Sequence, residues 1–287
     1  MIIFNLKESY SMGLFLQGCM LSISVLLSGC SNVTSLLFYP QSQHVRTPAD
    51  IGLEYEEVVL TTIDNTDLVS WYLPSQPKIS SANAPIVLFL HGNAENISTH
   101  IGSVYWLPDQ GVSVFLLDYR GFGKSAGEPF VPAIFQDVEA SLIWLRQQFP
   151  ERPIYILGQS IGAAIGTTSM ALFEKDYAIK GLILDAGFTG YRDISQHVTS
   201  KSFITWLVWP LTWLLPTRWD PIDYVDKISS KPLLMFHSQE DMILPYDDAY
   251  RLFETANEPK VWYDSKGGHI QTFNDAEYRK ILLEFLM

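Results

Sequence analysis

The chain has 287 residues, enough to bury one large hydrophobic core, and its apolar content of 47% is ordinary for a globular protein. Its formal net charge is −12, and the sequence contains no long basic run. This composition excludes nucleic-acid binding as the basis of function, because phosphate backbones are bound by clustered Lys and Arg.

The N-terminal residues 1–29 are typical of a secretory signal peptide. A polar region with Lys7 precedes an apolar stretch, Met12–Leu27, which is short for a membrane span. The following Leu27-Ser28-Gly29-Cys30 resembles the bacterial lipoprotein box, in which the cysteine is lipidated and becomes the first mature residue. We therefore expect a lipid anchor on Cys30 and a position on a membrane surface of the cell envelope, the outer membrane in a double-membraned bacterium.

An uncleaved anchor and an ordinary signal peptide are the alternative interpretations of this N-terminus. In the lipoprotein interpretation Cys19 leaves with the signal, and Cys30 is the only cysteine of the mature chain. No internal disulfide is then expected, even in an oxidising compartment. Residues 30–50 are polar and irregular, and we predict that they form a tether to a single folded domain at 51–287.

Within that domain, strand-like and helix-like segments alternate. Two segments that flank a turn-rich TIDNTD predict an antiparallel pair, and six apolar runs predict buried parallel strands. The predicted strands are Glu54–Thr61, Leu68–Leu73, Ile86–Leu90, Val112–Leu117, Ile154–Leu157, Leu182–Leu184, Leu233–Phe236 and Val261–Tyr263. The segments AIFQDVEASLIWLRQQF, DDAYRLFETA and DAEYRKILLEFL predict helices. The alternation predicts an α/β fold, a mostly parallel eight-stranded sheet with helices on both faces.

A serine between two glycines stands at the end of the fifth predicted strand, in Gly158-Gln159-Ser160-Ile161-Gly162. A sharp strand-to-helix turn exposes the side chain at its tip, and larger residues two positions away would clash, which explains Gly158 and Gly162. Reactive groups gather at the carboxyl ends of strands in an open parallel sheet. This context predicts that Ser160 is a nucleophile.

Five motifs at the ends of successive strands resemble the α/β-hydrolase superfamily. They are FLHGNAENIS, LLDYRGFGKSAGEP, GQSIG, HSQEDMILP and GGHIQTF. The resemblance is to the branch of serine-aminopeptidase-like proteins and abhydrolase-domain esterases, lysophospholipases and depalmitoylases, and it covers nearly the whole chain after the tether. It implies the α/β-hydrolase fold and a serine-hydrolase mechanism.

A serine nucleophile needs a base within hydrogen-bond reach and a third group that orients the base. The superfamily places these groups in the order serine, acid, histidine. His269 follows the last predicted strand beside two glycines, and Asp241 follows the seventh. Glu240 is the alternative acid, whereas we interpret Asp185 as a structural partner. Ser160, Asp241 and His269 are the predicted catalytic residues.

The oxyanion of acyl transfer needs two fixed donors. The backbone N–H of Ile161, at a helix start, supplies one. The other is expected from the loop LHGNAEN, where the resemblance points to the N–H of Asn93, with Ala94 as the alternative. The segment DYRGFGKSAG ends like a phosphate loop but has Asp118 in place of the first glycine, so we predict a turn that braces the oxyanion loop. No motif indicates a metal or a cofactor.

A tryptophan-rich segment within residues 190–222 precedes the seventh strand and predicts a cap. Trp206, Trp209 and Trp213 are spaced to share one helical face, although Pro210 would kink the helix. One interpretation packs the rings on the sheet. The other makes them an apolar acyl-binding wall or a membrane-facing lid.

The sequence predicts a serine hydrolase that cleaves carboxylic ester or thioester bonds of a small-molecule or lipid acyl substrate. A peptidase of the serine-aminopeptidase type is the nearest alternative. A lipoprotein that uses the fold only to bind ligands is the alternative from a different class.

Overall fold

The computed structural model describes residues 30–76 and 84–287, so the predicted signal peptide lies outside the described residues. Its eight strands form one sheet in the order β1-β2-β4-β3-β5-β6-β7-β8. The strands are β1 (Glu56–Thr61), β2 (Asp67–Leu73), β3 (Ile86–Leu90), β4 (Ser113–Leu117), β5 (Ile154–Gln159), β6 (Gly181–Asp185), β7 (Leu233–Ser238) and β8 (Lys260–Ser265). β2 is antiparallel to β1 and β4, and the other neighbours pair in parallel. The predicted α/β-hydrolase fold is confirmed.

The burial of the strands explains their sequence patterns. Every residue of β3, β4, β6 and β7 is buried, because helices cover both faces of the sheet and continuous apolar runs are needed there. The edge strand β1 instead alternates between exposed and buried residues near its end. The central strands are therefore the part of the fold that hydrophobicity specifies most directly.

Helices pack on both faces of the sheet. The α-helices are α1 (Ile97–His100), α2 (Ile134–Gln148), α3 (Ile161–Phe173), α4 (Tyr191–Ser200), α5 (Phe203–Trp206), α6 (Tyr246–Thr255) and α7 (Ala276–Leu286). One core cluster includes apolar side chains of α2, α3 and α6, and the cluster on the opposite face includes those of α1 and α7. Among the described residues, no helix combines the length and the hydropathy that crossing a bilayer requires.

The segment predicted as a tether is different in the structure. Cys30–Leu37 and Pro48–Ile51 form 3-10 helices, and the segment between them packs on the domain. Phe38 is buried and meets Phe122 edge-on, with ring centroids 6.4 Å apart. The apolar run that contains Phe38 provides the reason, since burial of these side chains favours contact with the core over a free chain. We call residues 33–45 the strap.

Candidate active site

Ser160 occupies the strained turn between β5 and α3. Its φ of 55° and ψ of −118° lie outside the regions that ordinary residues prefer, and its N–H is held by Asp185 O at 2.9 Å. A Cβ on Gly158 would lie 2.3 Å from Gly162 O, and one on Gly162 would lie 2.1 Å from Leu90 O. Both glycines are thus required by close backbone approach, as the sequence pattern predicts.

Three side chains from distant parts of the chain meet at this turn. His269 Nε2 lies 2.9 Å from Ser160 Oγ, and His269 Nδ1 lies 2.7 Å from Asp241 Oδ2. The other carboxylate oxygen, Asp241 Oδ1, accepts the N–H groups of Ile243 and Leu244 at 2.8 and 3.0 Å. The acid is therefore fixed from both sides, and it in turn fixes the orientation of the imidazole.

The pKa of Asp241 is held below its ordinary value. Burial alone would raise the pKa, but the hydrogen bond and charge of His269 and the two backbone N–H groups outweigh it. The carboxylate is therefore ionised at neutral pH. Glu240, the alternative acid, is exposed, and no contact joins its carboxylate to the imidazole in the described chain. The geometry thus selects Asp241 over Glu240 as the partner of His269.

Asp185 supports the site from beneath the serine turn. Its buried carboxylate accepts the Gln159 amide Nε2–H and the Thr272 hydroxyl, each at 2.7 Å. Burial raises the pKa of Asp185, and those two hydrogen bonds partly offset the effect. Because Thr272 lies just beyond His269, this network ties the histidine loop to β5 and β6. The structural interpretation of Asp185 agrees with this placement.

The expected oxyanion donors face the same space as the serine. Asn93 and Ile161 line one cavity with Ser160 and His269. No protein hydrogen-bond acceptor is found for either backbone N–H within the described ranges. The N–H of Ala94, by contrast, donates to Asn93 Oδ1 at 2.8 Å. The alternative donor is therefore already engaged, whereas the N–H groups of Asn93 and Ile161 remain available for a substrate oxygen.

The strap holds the oxyanion loop, residues 92–98, in place. Asn93 Oδ1 accepts the N–H of Tyr39 at 3.0 Å, and Asn93 Nδ2 donates to Leu37 O at 2.6 Å. Four further hydrogen bonds join the strap to the loop. The N–H of Gln41 donates to Glu95 O, the N–H of Val45 donates to Ser98 Oγ, and Asn96 Nδ2 donates to Gln41 O and to Gln43 O. The loop needs this support, because Ala94 and Glu95 have positive φ values of 65° and 59°.

Sequence reasoning missed this role of the strap. The available signal was the run Leu36-Leu37-Phe38-Tyr39, which is too apolar for a solvated tether. The turn after β4 braces the loop from the other side, as predicted. Asp118 accepts the N–H of Ile97 at 2.9 Å and pairs with His44 of the strap at 2.7 Å. The oxyanion loop is therefore clamped between the strap and this turn.

An apolar cavity of about 740 Å³ opens beside Ser160. The cap contributes nine lining residues. Five belong to α4, namely Tyr191, Ile194, Ser195, Val198 and Thr199, and four follow α5 at helical spacing, namely Val208, Leu211, Thr212 and Leu215. The strap contributes six further residues, and residues beside Asn93, Ser160, Asp241 and His269 complete most of the lining. Strap residues that line the cavity are Val33, Ser35, Leu36, Leu37, Phe38 and Tyr39. The volume is in the range of pockets that enclose a drug-sized ligand.

The three cap tryptophans do not line the cavity, and the predicted acyl-binding wall of Trp206, Trp209 and Trp213 is wrong. Trp206 and Trp213 are 55% and 58% exposed, and Trp209 packs against Trp213 at 6.3 Å between ring centroids. Nor do Trp206 and Trp213 pack on the sheet. The reason is that α5 ends at Trp206 and a separate 3-10 helix spans Trp209–Leu214, so the three tryptophans do not share one helical face, and Val208, Leu211, Thr212 and Leu215 line the cavity instead.

Comparisons with known proteins agree with this architecture. Residues 81–225 match the family described as serine aminopeptidase, S33. The uncharacterised protein YfhR of Escherichia coli K12 is 30% identical over 238 residues, 81% of this chain and 80% of that protein. The lysophosphatidylserine lipase ABHD12 of Xenopus tropicalis is 26% identical over 295 residues, 93% of this chain and 76% of that protein. The esterase Pf2001 of Pyrococcus furiosus shares the fold, with a TM-score of 0.71 and 22% identity over 87% of this chain and 98% of that one.

Proposed function

We propose that this chain, which belongs to the serine aminopeptidase S33 family of α/β hydrolases, cleaves carboxylic ester or thioester bonds of apolar acyl substrates. The chain is a serine hydrolase, and the proposal concerns its catalytic residues and its substrate. The contact of Ser160, His269 and Asp241 at the edge of an apolar cavity is the observation that supports it best.

In the proposed reaction, Ser160 Oγ attacks the acyl carbon while His269 Nε2 accepts the hydroxyl proton. Asp241 keeps the other imidazole proton on Nδ1 and stabilises the imidazolium. The N–H groups of Asn93 and Ile161 bind the oxyanion. Collapse of the tetrahedral intermediate breaks the ester or thioester bond, and His269 returns the proton to the leaving alcohol or thiol. Water then attacks the acyl-enzyme by the same route and releases the acid.

The cavity favours acyl esters over peptides. No Asp, Glu, Lys or Arg is found among the described residues that line it. An aminopeptidase must bind the free ammonium group of its substrate, and an unpaired ammonium in an apolar cavity is costly. An acyl chain fits this lining without such a cost. The printed name of the ABHD12 relatives, lysophosphatidylserine lipase, adds support for a lipid acyl ester as the substrate class.

A graded series of p-nitrophenyl esters, with peptide p-nitroanilides alongside, tests the substrate class. Each buried methylene contributes about 0.8 kcal/mol, so two more methylenes should raise kcat/KM about 15-fold until the cavity is filled. Peptide anilides should be cleaved far more slowly. Faster cleavage of the anilides, or ester rates independent of chain length, would contradict the proposal.

Labelling with a fluorophosphonate probe tests the nucleophile. Wild-type protein should be labelled, and Ser160→Ala should abolish the label. Ser200→Ala is the control, because Ser200 lies on the exposed side of α4 and its hydroxyl only caps His197 O. An unlabelled wild-type protein would favour a binding protein without catalysis, the alternative from a different class.

The location of the protein in the cell is also part of the proposal. The Leu27-Ser28-Gly29-Cys30 sequence supports cleavage before Cys30 and lipidation of that cysteine, which would anchor the enzyme in the cell envelope. Metabolic labelling with a palmitate analogue should be lost in Cys30→Ala and retained in Cys19→Ala. Label retained in Cys30→Ala would refute the anchor.

A further inference from the structure

We propose that the cap and the strap together form one surface that docks on a lipid bilayer and turns the cavity mouth toward the lipid. This surface, the docking rim, consists of exposed apolar side chains from the strap, from the cap and from the loop after β7 that carries Asp241, which we call the acid loop. Its members are Leu36, Tyr39, Phe203, Ile204, Trp206, Leu207, Leu211, Trp213, Leu214, Met242 and Ile243. The inference rests on the proposed function, since it assigns the source from which acyl substrates reach Ser160.

The exposure of the docking rim is the first observation behind the proposal. Phe203 and Ile204 are each 78% exposed, and Met242 is 81% exposed. Large apolar side chains grouped in this way mark an interaction site, because single exposed residues are ordinary but contiguous patches are not. The cap contributes both aliphatic and aromatic side chains to this group, with Ile204, Leu207, Leu211 and Leu214 exposed beside Phe203, Trp206 and Trp213.

The rim surrounds the mouth of the cavity. Leu36 and Tyr39 of the strap, Leu211 of the cap and Ile243 of the acid loop are exposed and also line the cavity. Lys201 Nζ donates to Met242 O and so joins the cap to the acid loop. A membrane bound to the docking rim would therefore lie directly at the mouth of the cavity that leads to Ser160.

The charge pattern fits a bilayer. Charged residues make up 17% of the chain, yet none occurs from Ser202 to Thr217. Cations stand at the borders of this stretch, Lys201 before it and Arg218 after it, and Arg192 lies over the Trp213 ring at 5.6 Å. Apolar side chains with tryptophan at the centre and cations at the border match the acyl and headgroup layers of a membrane surface. The net charge of −12 keeps the remaining surface away from anionic lipid.

The N-terminus identifies a bilayer as the occupant rather than a second copy of the chain. The residues before Cys30 include the apolar stretch Met12–Leu27. Two of its three interpretations, a lipidated Cys30 and an uncleaved anchor, bring membrane to the start of the Cys30–Leu37 helix. At about 2.0 Å per residue, Cys30 is about 12 Å along that helix from Leu36 of the rim. The anchor and the rim therefore share one side of the molecule.

This placement specifies the substrate class more closely. An acyl ester held in a bilayer can pass from the lipid into the cavity without crossing water, and its acyl chain stays in apolar surroundings throughout. We therefore infer that amphiphilic acyl esters resident in the membrane, with the headgroup at the interface, are the preferred substrates. Short esters dissolved in water reach the same serine without help from the rim.

A matched pair of variants tests the docking rim in the full chain reconstituted in phosphatidylcholine vesicles. Ile204→Asp places a charge on the rim, and Ile63→Asp places the same charge at the 82% exposed Ile63 in the β1–β2 turn. We expect Ile204→Asp to cleave a vesicle-embedded long-chain lysophospholipid at least tenfold more slowly than wild type. Both variants should cleave p-nitrophenyl acetate within twofold of wild type.

Brominated acyl chains in the vesicles give a second measurement, since bromine quenches tryptophan fluorescence by contact. Quenching should be pronounced in the wild type, weaker in Ile204→Asp and unchanged in Ile63→Asp. Equal rates of lysophospholipid cleavage and equal quenching in the two variants would refute the proposal that the docking rim binds a bilayer. Loss of self-association in Ile204→Asp with normal vesicle activity would assign the surface to a second copy and also overturn it. Absence of p-nitrophenyl acetate cleavage by wild type would instead refute the proposed function.

Discussion

Asp241→Asn should invert the tautomer of His269 without unfolding the protein. Asp241 Oδ1 accepts two N–H groups, from Ile243 and Leu244, while Oδ2 faces His269 Nδ1 at 2.7 Å. An asparagine has one acceptor oxygen, and the two amide donors require it at the Oδ1 position. Its NH2 group is then forced into the Oδ2 position, where it donates to Nδ1.

The consequence for catalysis follows from proton positions. Nδ1 must become the acceptor, so the imidazole proton moves to Nε2, which faces Ser160 Oγ at 2.9 Å. In that tautomer the base cannot accept the serine proton. Inversion of this kind costs about 10⁴ in kcat in serine hydrolases with a triad, or about 5.5 kcal/mol at about 1.36 kcal/mol per tenfold.

The assay is kcat for p-nitrophenyl acetate with the melting temperature measured in parallel. Because the two amide hydrogen bonds are kept, we expect the melting temperature to change little while kcat falls about 10⁴-fold. Glu240→Gln is the matched control, an exposed neighbouring carboxylate that should keep wild-type kcat. If Asp241→Asn retains a tenth of the wild-type kcat, the proposed tautomer control is refuted.

Three further predictions concern the supports of the site. Asn93→Ala removes two strap hydrogen bonds of about 0.5–1.5 kcal/mol each and also the hydrogen bond from Ala94 N–H to Asn93 Oδ1. Loss of the two strap bonds alone should lower kcat for a short ester between about fivefold and a hundredfold, with little change in KM; an unchanged kcat would show that the strap does not position the donors. Gly162→Ala should abolish folding and fluorophosphonate labelling, because its Cβ meets Leu90 O at 2.1 Å, whereas Gly102→Ala, with no atom within 4 Å, should be silent in a thermal melt. Burial, partly offset by a hydrogen bond from Tyr191 N–H, raises the pKa of Asp220 from 3.8 to about 6. The folded state therefore binds the proton more tightly than the unfolded state, and the stabilisation from this group is lost as pH rises from about 4 to 6. The melting temperature of Asp220→Asn should consequently increase relative to that of wild type between pH 4 and pH 7, and a difference that stays constant with pH would contradict the assignment.

The strands and the serine turn were predictable because their causes are local. Buried parallel strands need continuous apolar runs, and β3 was predicted with both ends correct at Ile86 and Leu90. The glycines around Ser160 are required by backbone contacts within a few residues of the turn and with the neighbouring strand. The pairing of His269 with Asp241 could be predicted because few histidines and acidic residues follow strand ends in the required chain order.

The cap was harder to predict because its two faces are both apolar. Hydrophobic periodicity identifies the face that turns inward only when the opposite face is polar. Here Val208, Leu211 and Leu215 line the cavity while the exposed Trp206 and Trp213 do not, and a pattern based on tryptophan spacing selects the wrong residues. The proposed contact of this second apolar face with lipid would explain why the tryptophan rings are exposed.

The strap would link the proposed membrane anchor to the geometry of the site. It begins near Cys30, lines the cavity through Leu36 and Tyr39, and hydrogen-bonds the Asn93 side chain. In the proposed lipid-anchored enzyme, a pull on the anchor would act within ten residues on the loop that carries the proposed oxyanion donor Asn93. A bilayer in contact with the proposed rim would relieve that pull, because the rim and the anchor would then lie on the same plane. Substrate entry and oxyanion binding would consequently be best organised in the membrane-bound enzyme, where amphiphilic acyl esters are found.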